Sequence, residues 1–246
     1  MKTSNILLIS ALGLILVSMV VFGFILKSQL LIPATEGNGN IIMNSTDIDD
    51  FDKINIKGNF KVNYIQDTHY HLDITTDENL HDLIKTEVEN NELIIKAIKP
   101  VKSGKEILIN VSSPSLSGIT ASASATFNAM NDVMLEDVSL ACNASSSIII
   151  NGKFDDINVS QNASSKVTLG GQANSLFVAS NAGGTVDAFE LEVQAADIEA
   201  NASTVVKVNT EELSVKATAG STVFYIGNPA LNNINLSSGS NLIKQD

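Results

Sequence analysis

The chain has 246 residues, a formal net charge of −12 and 44% hydrophobic residues, but only 5% aromatic residues and no Trp. All 15 basic residues are lysines, so the chain lacks the clustered cations and guanidinium groups that nucleic-acid binding needs. The single cysteine, Cys142, excludes an internal disulfide, a thiolate metal cluster and a CxxC redox pair. No cofactor or nucleic-acid partner is therefore expected.

The amino-terminal part has the pattern of a membrane segment. Residues 6–26 contain no charge and are mostly Ile, Leu, Val and Phe, and at about 1.5 Å per residue they would span the ~30 Å hydrocarbon layer. We predict an uncleaved signal anchor over 6–26 with residues 1–5 as a cytoplasmic tip; a cleaved signal peptide is the alternative. Residues 27–43 are predicted to be a linker, made flexible by the Gly- and Asn-rich stretch 33–40.

The next segment, residues 44–116, is predicted to be a β-rich head or cap. Strands are expected at 51–56, 60–64, 69–75, 86–88, 93–95 and 107–111, and a short helix near 79–85. Gly58-Asn59 is read as the turn between the first two strands, and Asn90-Asn91 as a hairpin turn. Some of these strands would form irregular first coils that close the open end of the carboxyl-terminal part of the chain.

Residues 117–246 repeat with a period near 19. Near copies of one tetrad begin at Asn143, Asn162, Asn181 and Asn201, and looser copies begin at Ser122, Thr218 and Ser237. The spacings between these starts are 21, 19, 19, 20, 17 and 19 residues. Three positions before each start lies an aliphatic residue, and five positions after it lies another apolar residue. The residue one position after each start is Ala, or Ser in the last copy.

This repeat predicts an all-β fold, a parallel β-helix of about seven coils of 17–21 residues. Segments such as 157–159 and 167–169 alternate apolar and polar residues, as strands do. Stacking at about 4.8 Å per coil would bury a continuous aliphatic column, and the constant parallel connection favours a right-handed coil. The period is too short for helical repeats.

The start of each repeat is predicted to be a structural corner. The proposed corner residues are Asn143, Asn162, Asn181, Asn201 and Thr218. Asn tolerates turn conformations and can hydrogen-bond along a stack of coils. The small Ala that follows is expected to let the chain turn tightly inside the column.

Three stretches also carry a family resemblance. They are FDKINIKGNFKVNYIQ at 51–66, EVENNELII at 87–95 and ILINVSSPSL at 107–116, followed by the small-residue coils. Together they resemble the bacterial family called putative autotransporter adhesin, head GIN domain, over about residues 47–245. The resemblance implies a β-helical, extracytoplasmic surface or envelope protein with a role in adhesion, and it carries no catalytic signature and no binding residues.

Few residues suggest site chemistry. His69 and His71 alternate on one strand, and with His81 they could begin a metal site, but an ordinary exposed strand face explains them as well. Acidic residues at 47–52 and at 155–156 could collect calcium, but they lack the Gly-containing loop and are read as solvated charge. Without Arg or Trp, a sugar-cleaving site is disfavoured. No catalytic or metal residue is therefore predicted, and the binding residues stay unknown.

The sequence thus favours a non-enzymatic, adhesion-like binding module in the bacterial cell envelope. It would be held by the membrane through residues 6–26, with the bulk outside the cytoplasm, either periplasmic or on the surface. Its ladders of repeated polar side chains would suit an unknown glycan or protein ligand. One alternative is a tethered periplasmic accessory or signalling protein that docks a protein partner. A polysaccharide-acting enzyme is the other alternative.

Overall fold

The computed structural model describes residues 17–19 and 33–245, and 65% of these described residues are in strands. The strands are β1 (Thr35–Glu36), β2 (Ile41–Asp47), β3 (Lys53–Lys57), β4 (Lys61–Gln66), β5 (His71–Asp77), β6 (Ile84–Glu89), β7 (Glu92–Ala97), β8 (Val101–Lys102), β9 (Leu108–Ser113), β10 (Gly118–Ser122), β11 (Thr126–Ala129), β12 (Val133–Cys142), β13 (Ser147–Gln161), β14 (Lys166–Ser180), β15 (Thr185–Ala200), β16 (Val205–Ala217), β17 (Thr222–Ile226), β18 (Ala230–Leu236) and β19 (Asn241–Lys244). One short 3-10 helix spans Glu78–Leu83.

The predicted membrane segment at 6–26 lies outside the described residues except for 17–19, and so does the predicted tip at 1–5. Within the part of the chain that the structure describes, no helix is long and apolar enough to cross a bilayer.

The strands form a β-solenoid of about seven turns, as the repeat predicts. Each turn has a side A that leads into the predicted corner, a side B that follows the corner, and a shorter side C. In β13, side A is 156–161, side B is 147–151 and side C is 152–154. Neighbouring turns pair in parallel from β10 and β11 through β19, so each side is a ladder that runs along the rod.

The two apolar positions of the repeat point inward, as predicted. On side A the buried residues are Ile119, Leu140, Val159, Val178, Ile198 and Val215. On side B they are Phe127, Ile148, Val167, Val186, Val206 and Val223. Only the last turn differs: Ile234 is 37% exposed and Leu242 is partly buried, because no further turn in the described chain covers them. Each fully buried aliphatic side chain contributes about 1.5–3 kcal/mol of transfer free energy, so the column is the main source of stability.

The corner alanines do not lie inside the column, which corrects one expectation. Ala144 and Ala163 are exposed, and their backbones have φ of 51° and 53°. The next residue also has a positive φ, and the Ser146 N–H donates to the Asn143 carbonyl at 3.3 Å. Two consecutive positive φ values closed by this bond form a type I′ turn, which projects its two central residues into solvent. The small side chain is tolerated there because it leaves the chain reversal unobstructed.

The cap continues the solenoid instead of forming a separate head. Strands β3 and β4 pair in parallel with β10 and β11 on one side of the rod and with β7 and β9 on the other. Gly58-Asn59 therefore lies at a solenoid corner between two sides of one turn, and β3 and β4 do not form a hairpin with each other. One hydrophobic cluster extends from Phe51 to Val223, so the cap and the repeats share a core.

Antiparallel strands close the cap end of the rod. Strand β6 covers the edge of β7 through the predicted hairpin at Asn90 and Asn91, both with positive φ. Strand β5 covers β9, and β2 covers β5. The short helix lies between β5 and β6 and buries Leu80.

Part of the predicted flexible linker is instead fastened to this cap. Strand β1 pairs in parallel with β8, and β2 begins at Ile41, inside the predicted linker at 27–43. The buried carboxylate of Asp77 accepts a hydrogen bond from Gly39 N at 2.6 Å and one from Ser103 Oγ at 2.5 Å. The hydrogen bond from Ser103 holds the pKa of Asp77 below its usual range. The two glycines of 33–40, which suggested flexibility, have structural roles: Gly37 lies against the Asp77 carboxyl, where a Cβ atom would not fit, and Gly39 has a φ of 81°.

Candidate functional site: the Phe177 face

The predicted corner residues stack along one edge of the rod. Asn162 Nδ2 donates to Asn143 Oδ1 at 3.3 Å, and Asn201 Nδ2 donates to Asn181 Oδ1 at 3.3 Å. Thr218 Oγ1 donates to the Asn201 side-chain oxygen at 2.6 Å. These side chains hydrogen-bond mainly to one another. Their hydrogen bonds therefore hold successive corners in register and leave few groups for a ligand.

The broad outer surface of side A offers a different environment. Because strand residues alternate, three rows of outward side chains run along it. The first row holds Gly118, Ser139, Asn158, Phe177, Asp197 and Ser214, the second holds Thr120, Ala141, Ser160, Ala179, Glu199 and Lys216, and the third holds Asp137, Asp156, Ser175, Ala195 and Glu212. We call this surface the Phe177 face. Most of its side chains are small, so the only large ring on it stands above its neighbours.

Phe177 occupies the middle of the first row and is 38% exposed. The row pairs it directly with Asn158 on the preceding turn and with Asp197 on the following turn. An aromatic ring flanked by an amide and a carboxylate combines an apolar surface with hydrogen-bond donors and acceptors.

Two shallow grooves meet at this ring. One, of about 450 Å³, runs toward the cap and is lined by Ser139, Asn158, Ser160 and Ala179, with Lys53 and Glu92 at its end. The other, of about 320 Å³, runs toward the carboxyl-terminal turns. Its polar lining comes from Ser175, Asp197, Glu212, Ser214 and Asn232. Phe177 lines both grooves, so together they form one track along the rod.

The charges along this track are mostly negative. Asp197 and Glu212 line the carboxyl-terminal groove, and Glu199 is paired with Lys216 at 3.2 Å. Asp156 accepts a hydrogen bond from Ser175 Oγ at 2.5 Å. The track therefore presents carboxylate acceptors and hydroxyl and amide groups, but few cations, which disfavours an anionic ligand.

The sequence analysis did not predict that Phe177 is exposed, although the sequence contains a pattern that indicates it. Leu176 and Val178 are both buried inward residues. A strand with three apolar residues in succession must direct the middle one outward. Ile149, between the buried Ile148 and Ile150, follows the same logic on side B and is also 38% exposed.

The histidines do not come together. His71 lies between two carboxylates, with Nδ1 3.2 Å from Asp47 Oδ1 and Nε2 3.0 Å from Asp73 Oδ1. The hydrogen bond with Asp47 is the main reason that the pKa of His71 is raised. His69 instead contacts Thr68 Oγ1 at 2.9 Å, and His81 Nε2 donates to the Ile42 carbonyl at 3.2 Å. Over 17–19 and 33–245, no three His, Cys, Asp or Glu side chains are placed to hold a metal ion.

The remaining candidates have structural partners. In the first acidic run, Asp52 accepts from Ser117 Oγ at 2.9 Å; in the second, Asp155 accepts from Asn174 Nδ2 at 3.1 Å. Burial raises the pKa of the Cys142 thiol, which disfavours a reactive thiolate. Burial also raises the pKa of Tyr64 to about 12, and its hydroxyl donates to the Ser113 carbonyl at 3.1 Å. The Phe177 face is thus the best candidate for ligand binding.

Comparison with known proteins agrees on the fold. A family model described as "Putative auto-transporter adhesin, head GIN domain" matches residues 50–229. A solved putative adhesin from Bacteroides fragilis NCTC 9343 superimposes with a TM-score of 0.78 at 20% identity, over 86% of this chain and 100% of that chain. A second, from Parabacteroides merdae ATCC 43184, gives a TM-score of 0.67 at 19% identity, over 87% of this chain and 99% of that chain.

A third solved structure, titled a putative lipid binding protein from Parabacteroides distasonis ATCC 8503, gives a TM-score of 0.63 at 20% identity. It covers 86% of this chain and 100% of that chain. No curated protein matches the chain in sequence. At these identities the structural likeness establishes the β-solenoid alone.

Proposed function

Because the chain belongs to the putative auto-transporter adhesin, head GIN domain family, we propose that it is a non-catalytic, adhesion-like binding module of the bacterial cell envelope. Its tether would be the apolar segment at 6–26, and its solenoid would lie outside the cytoplasm. We propose further that its ligand is an extended, neutral or weakly basic glycan that lies along the Phe177 face. The observation that carries this choice is the exposed Phe177 ring between two shallow grooves whose largely apolar floors are bordered by hydroxyl, amide and carboxylate side chains.

The chemistry of the face suits a sugar chain. A pyranose ring has an apolar C–H face and a rim of hydroxyl groups. The face of an aromatic ring carries partial negative charge and attracts C–H groups, so Phe177 can stack under one sugar. On the preceding turn, Asn158 can donate and accept hydrogen bonds at the rim, and on the following turn Asp197 can accept them.

The length of the face also suits an extended ligand. Its first row crosses the turns from Gly118 to Ser214, and each turn adds about 4.8 Å. One sugar unit is about as long as one turn is thick, so successive sugars could meet successive turns. Such a repeated contact would give affinity through many weak interactions instead of one deep pocket.

A protein edge strand is a less suitable ligand for this face. The side A strands between β10 and β16 already have hydrogen-bonded neighbours on both edges, so their backbone groups cannot accept another strand. The exposed surface therefore consists of side chains alone, which favours a ligand that is itself rich in hydroxyl groups.

Glycan binding by the full chain in mild detergent tests this proposal. Phe177→Ala should weaken binding of the best-bound glycan by at least about 10-fold, as expected for an aromatic hot spot. Ile149→Ala is the matched control, because Ile149 has the same 38% exposure on side B, and it should leave affinity unchanged. Equal affinity of the Phe177→Ala variant and the wild type would reject this face, and the lack of any bound glycan would reject the ligand class.

A further inference from the structure

The two ends of the rod differ in how their edge strands are protected from pairing with another sheet. At the cap end, the outer strand of side A is β6, which carries Lys85 and Glu87. Hydrogen bonds from Lys85 and Lys96 lower the pKa of Glu87 to about 2, so this edge is charged and internally paired. Charged side chains on an edge strand oppose pairing with another sheet. On side A, the cap end is thus protected against association.

The opposite end has no such protection. Strand β18 pairs with β16, and β19 pairs with β17, but no described strand pairs with the outer edge of either one. Leu231, Ile234 and Leu236 of β18 are 47%, 37% and 40% exposed. On β19, the inward residue Leu242, which pairs with Val223, is only partly buried. Within the described residues, the aliphatic column therefore ends at an unpaired sheet edge.

The backbone of β18 presents free hydrogen-bonding groups there. Ser237 N donates to the Ala217 carbonyl of the preceding turn at 3.0 Å. Since successive residues of a strand direct their N–H and C=O groups to opposite edges, those of Ile234 and Leu236 point away from β16. These groups are available to another strand.

The charge distribution favours a second copy of this chain as the partner. Residues 217–243 contain no charged side chain, although the chain as a whole carries −12. The nearest charge in β19 is Lys244, which donates to Asn228 Oδ1 at 2.7 Å. Two acidic rods repel each other along their sides, but at this end they can meet without like charges in contact.

We propose that two copies of the chain associate end to end through β18, which would pair in antiparallel with β18 of the second copy about a twofold axis. This pairing uses the same surface on both copies and closes, so it yields a dimer and not a filament. It would cover Ile234 and Leu236 and satisfy the free backbone groups. Head-to-tail stacking would instead place this apolar end against the charged edge of β6.

The dimer would also have a consequence for a tethered chain. Residue 33 lies at the capped end, where β1 contacts β8. A chain held by residues 6–26 would therefore carry its open end away from the tether, and end-to-end pairing would join two opposing surfaces. This inference does not depend on a glycan ligand at the Phe177 face.

Sedimentation equilibrium of the full chain in mild detergent tests the dimer. The wild type should be a dimer at micromolar concentration, and Ile234→Lys should raise the dissociation constant at least tenfold. Ile149→Lys, which adds the same charge on side B, should leave the dimer intact. Circular dichroism should show the same strand content in all three proteins.

A second variant separates loss of pairing from disturbance of the last turn. Leu236→Pro removes an N–H that faces the free edge and keeps the bonds to β16, so it should also yield monomers with native strand content. A monomeric wild type, a dimer that survives both β18 substitutions, or a species larger than a dimer would overturn the proposal.

Discussion

At the scale of single residues, the solenoid accepts an unusual backbone conformation at every corner. Ala163 and Ser164 have φ of 53° and 58°, which costs an L-residue other than Gly about 1–2 kcal/mol per residue. The second central position is Gly at three other corners, Gly183, Gly220 and Gly239. Gly is therefore already accommodated at the second central position of the turn in this protein.

Ser164→Gly should accordingly stabilise the protein. Relief of the positive φ exceeds the added entropy of Gly in the unfolded chain, so a gain of about 0.5–1 kcal/mol is expected. Urea denaturation followed by circular dichroism measures it. Ser175→Gly, a strand position without positive φ, is the control and should destabilise; a loss of stability in both variants would contradict the strain argument.

His71 gives the cap a dependence on pH. Its pKa is raised in the folded protein, chiefly by Asp47, so its contribution to stability is complete below the unfolded pKa of about 6.5. The contribution is lost as pH rises through the folded pKa. Because the side chain is 42% exposed, the effect should stay below about 1 kcal/mol.

Melting temperatures between pH 5 and pH 9 can detect this contribution. The wild type should lose more stability than His71→Gln as the pH rises from 6 to 8, because Gln cannot titrate. His69→Gln should keep the wild-type profile, since His69 contacts Thr68 and not a carboxylate. Parallel profiles for the wild type and His71→Gln would show that the Asp47–His71–Asp73 contacts contribute nothing.

At the scale of elements, two adjacent turns depart from the repeat in ways that compensate for each other: one has a larger buried side chain, and the next has a glycine beside it. Gln161 is buried at a position where other turns have Cys142 or Ser180, and Gly184 stands where they have Ser146 or Ser165. A Cβ atom at Gly184 would overlap the Gln161 amide. The amide donates to Ser165 Oγ at 3.0 Å and accepts from Ser180 Oγ. These two hydrogen bonds prevent it from moving away from an added Cβ atom.

A double-mutant cycle tests this pairing. Gly184→Ser should destabilise by about 1–3 kcal/mol through overpacking. Adding Gln161→Ala should recover part of that loss, although Gln161→Ala alone is destabilising because it opens a cavity and leaves hydroxyl groups unpaired. Additive effects of the two substitutions, measured by urea denaturation, would show that the turns are not coupled here.

The elements also show how far the sequence alone could predict the fold and site. The two inward positions of the repeat follow from period-two alternation, so Val159 and Val167 could be assigned by pattern. The sequence order did not reveal that β3 and β4 lie between β7–β9 and β10–β11, because strand pairing across a solenoid depends on long-range register. Phe177 was predictable from its two apolar neighbours, but the grooves beside it depend on small residues from several turns.

At the scale of the whole molecule, the cap and the repeats form one cooperative body. The core cluster is continuous from Phe51 to Val223, and the cap strands are hydrogen-bonded into the same sheet as the repeats. A substitution that destabilises the middle of the column should therefore also destabilise the cap. Two of the three tyrosines, Tyr64 and Tyr70, lie in the cap, whereas Tyr225 lies in β17 and the chain has no Trp. In a Tyr225→Phe background, which is used for all the variants below, tyrosine fluorescence therefore reports on the cap.

Val167→Asp places a carboxylate in the column, where Val167 is 0% exposed, and should cost several kcal/mol because burial of an unpaired charge is unfavourable. The loss should appear at the same denaturant concentration in tyrosine fluorescence and in far-ultraviolet circular dichroism. Lys166→Ala, the outward neighbour, should change stability by less than about 0.5 kcal/mol. A tyrosine transition that keeps its wild-type midpoint while the strand signal shifts would mean that the cap folds independently of the repeats, and the shared core would then not be a single cooperative unit.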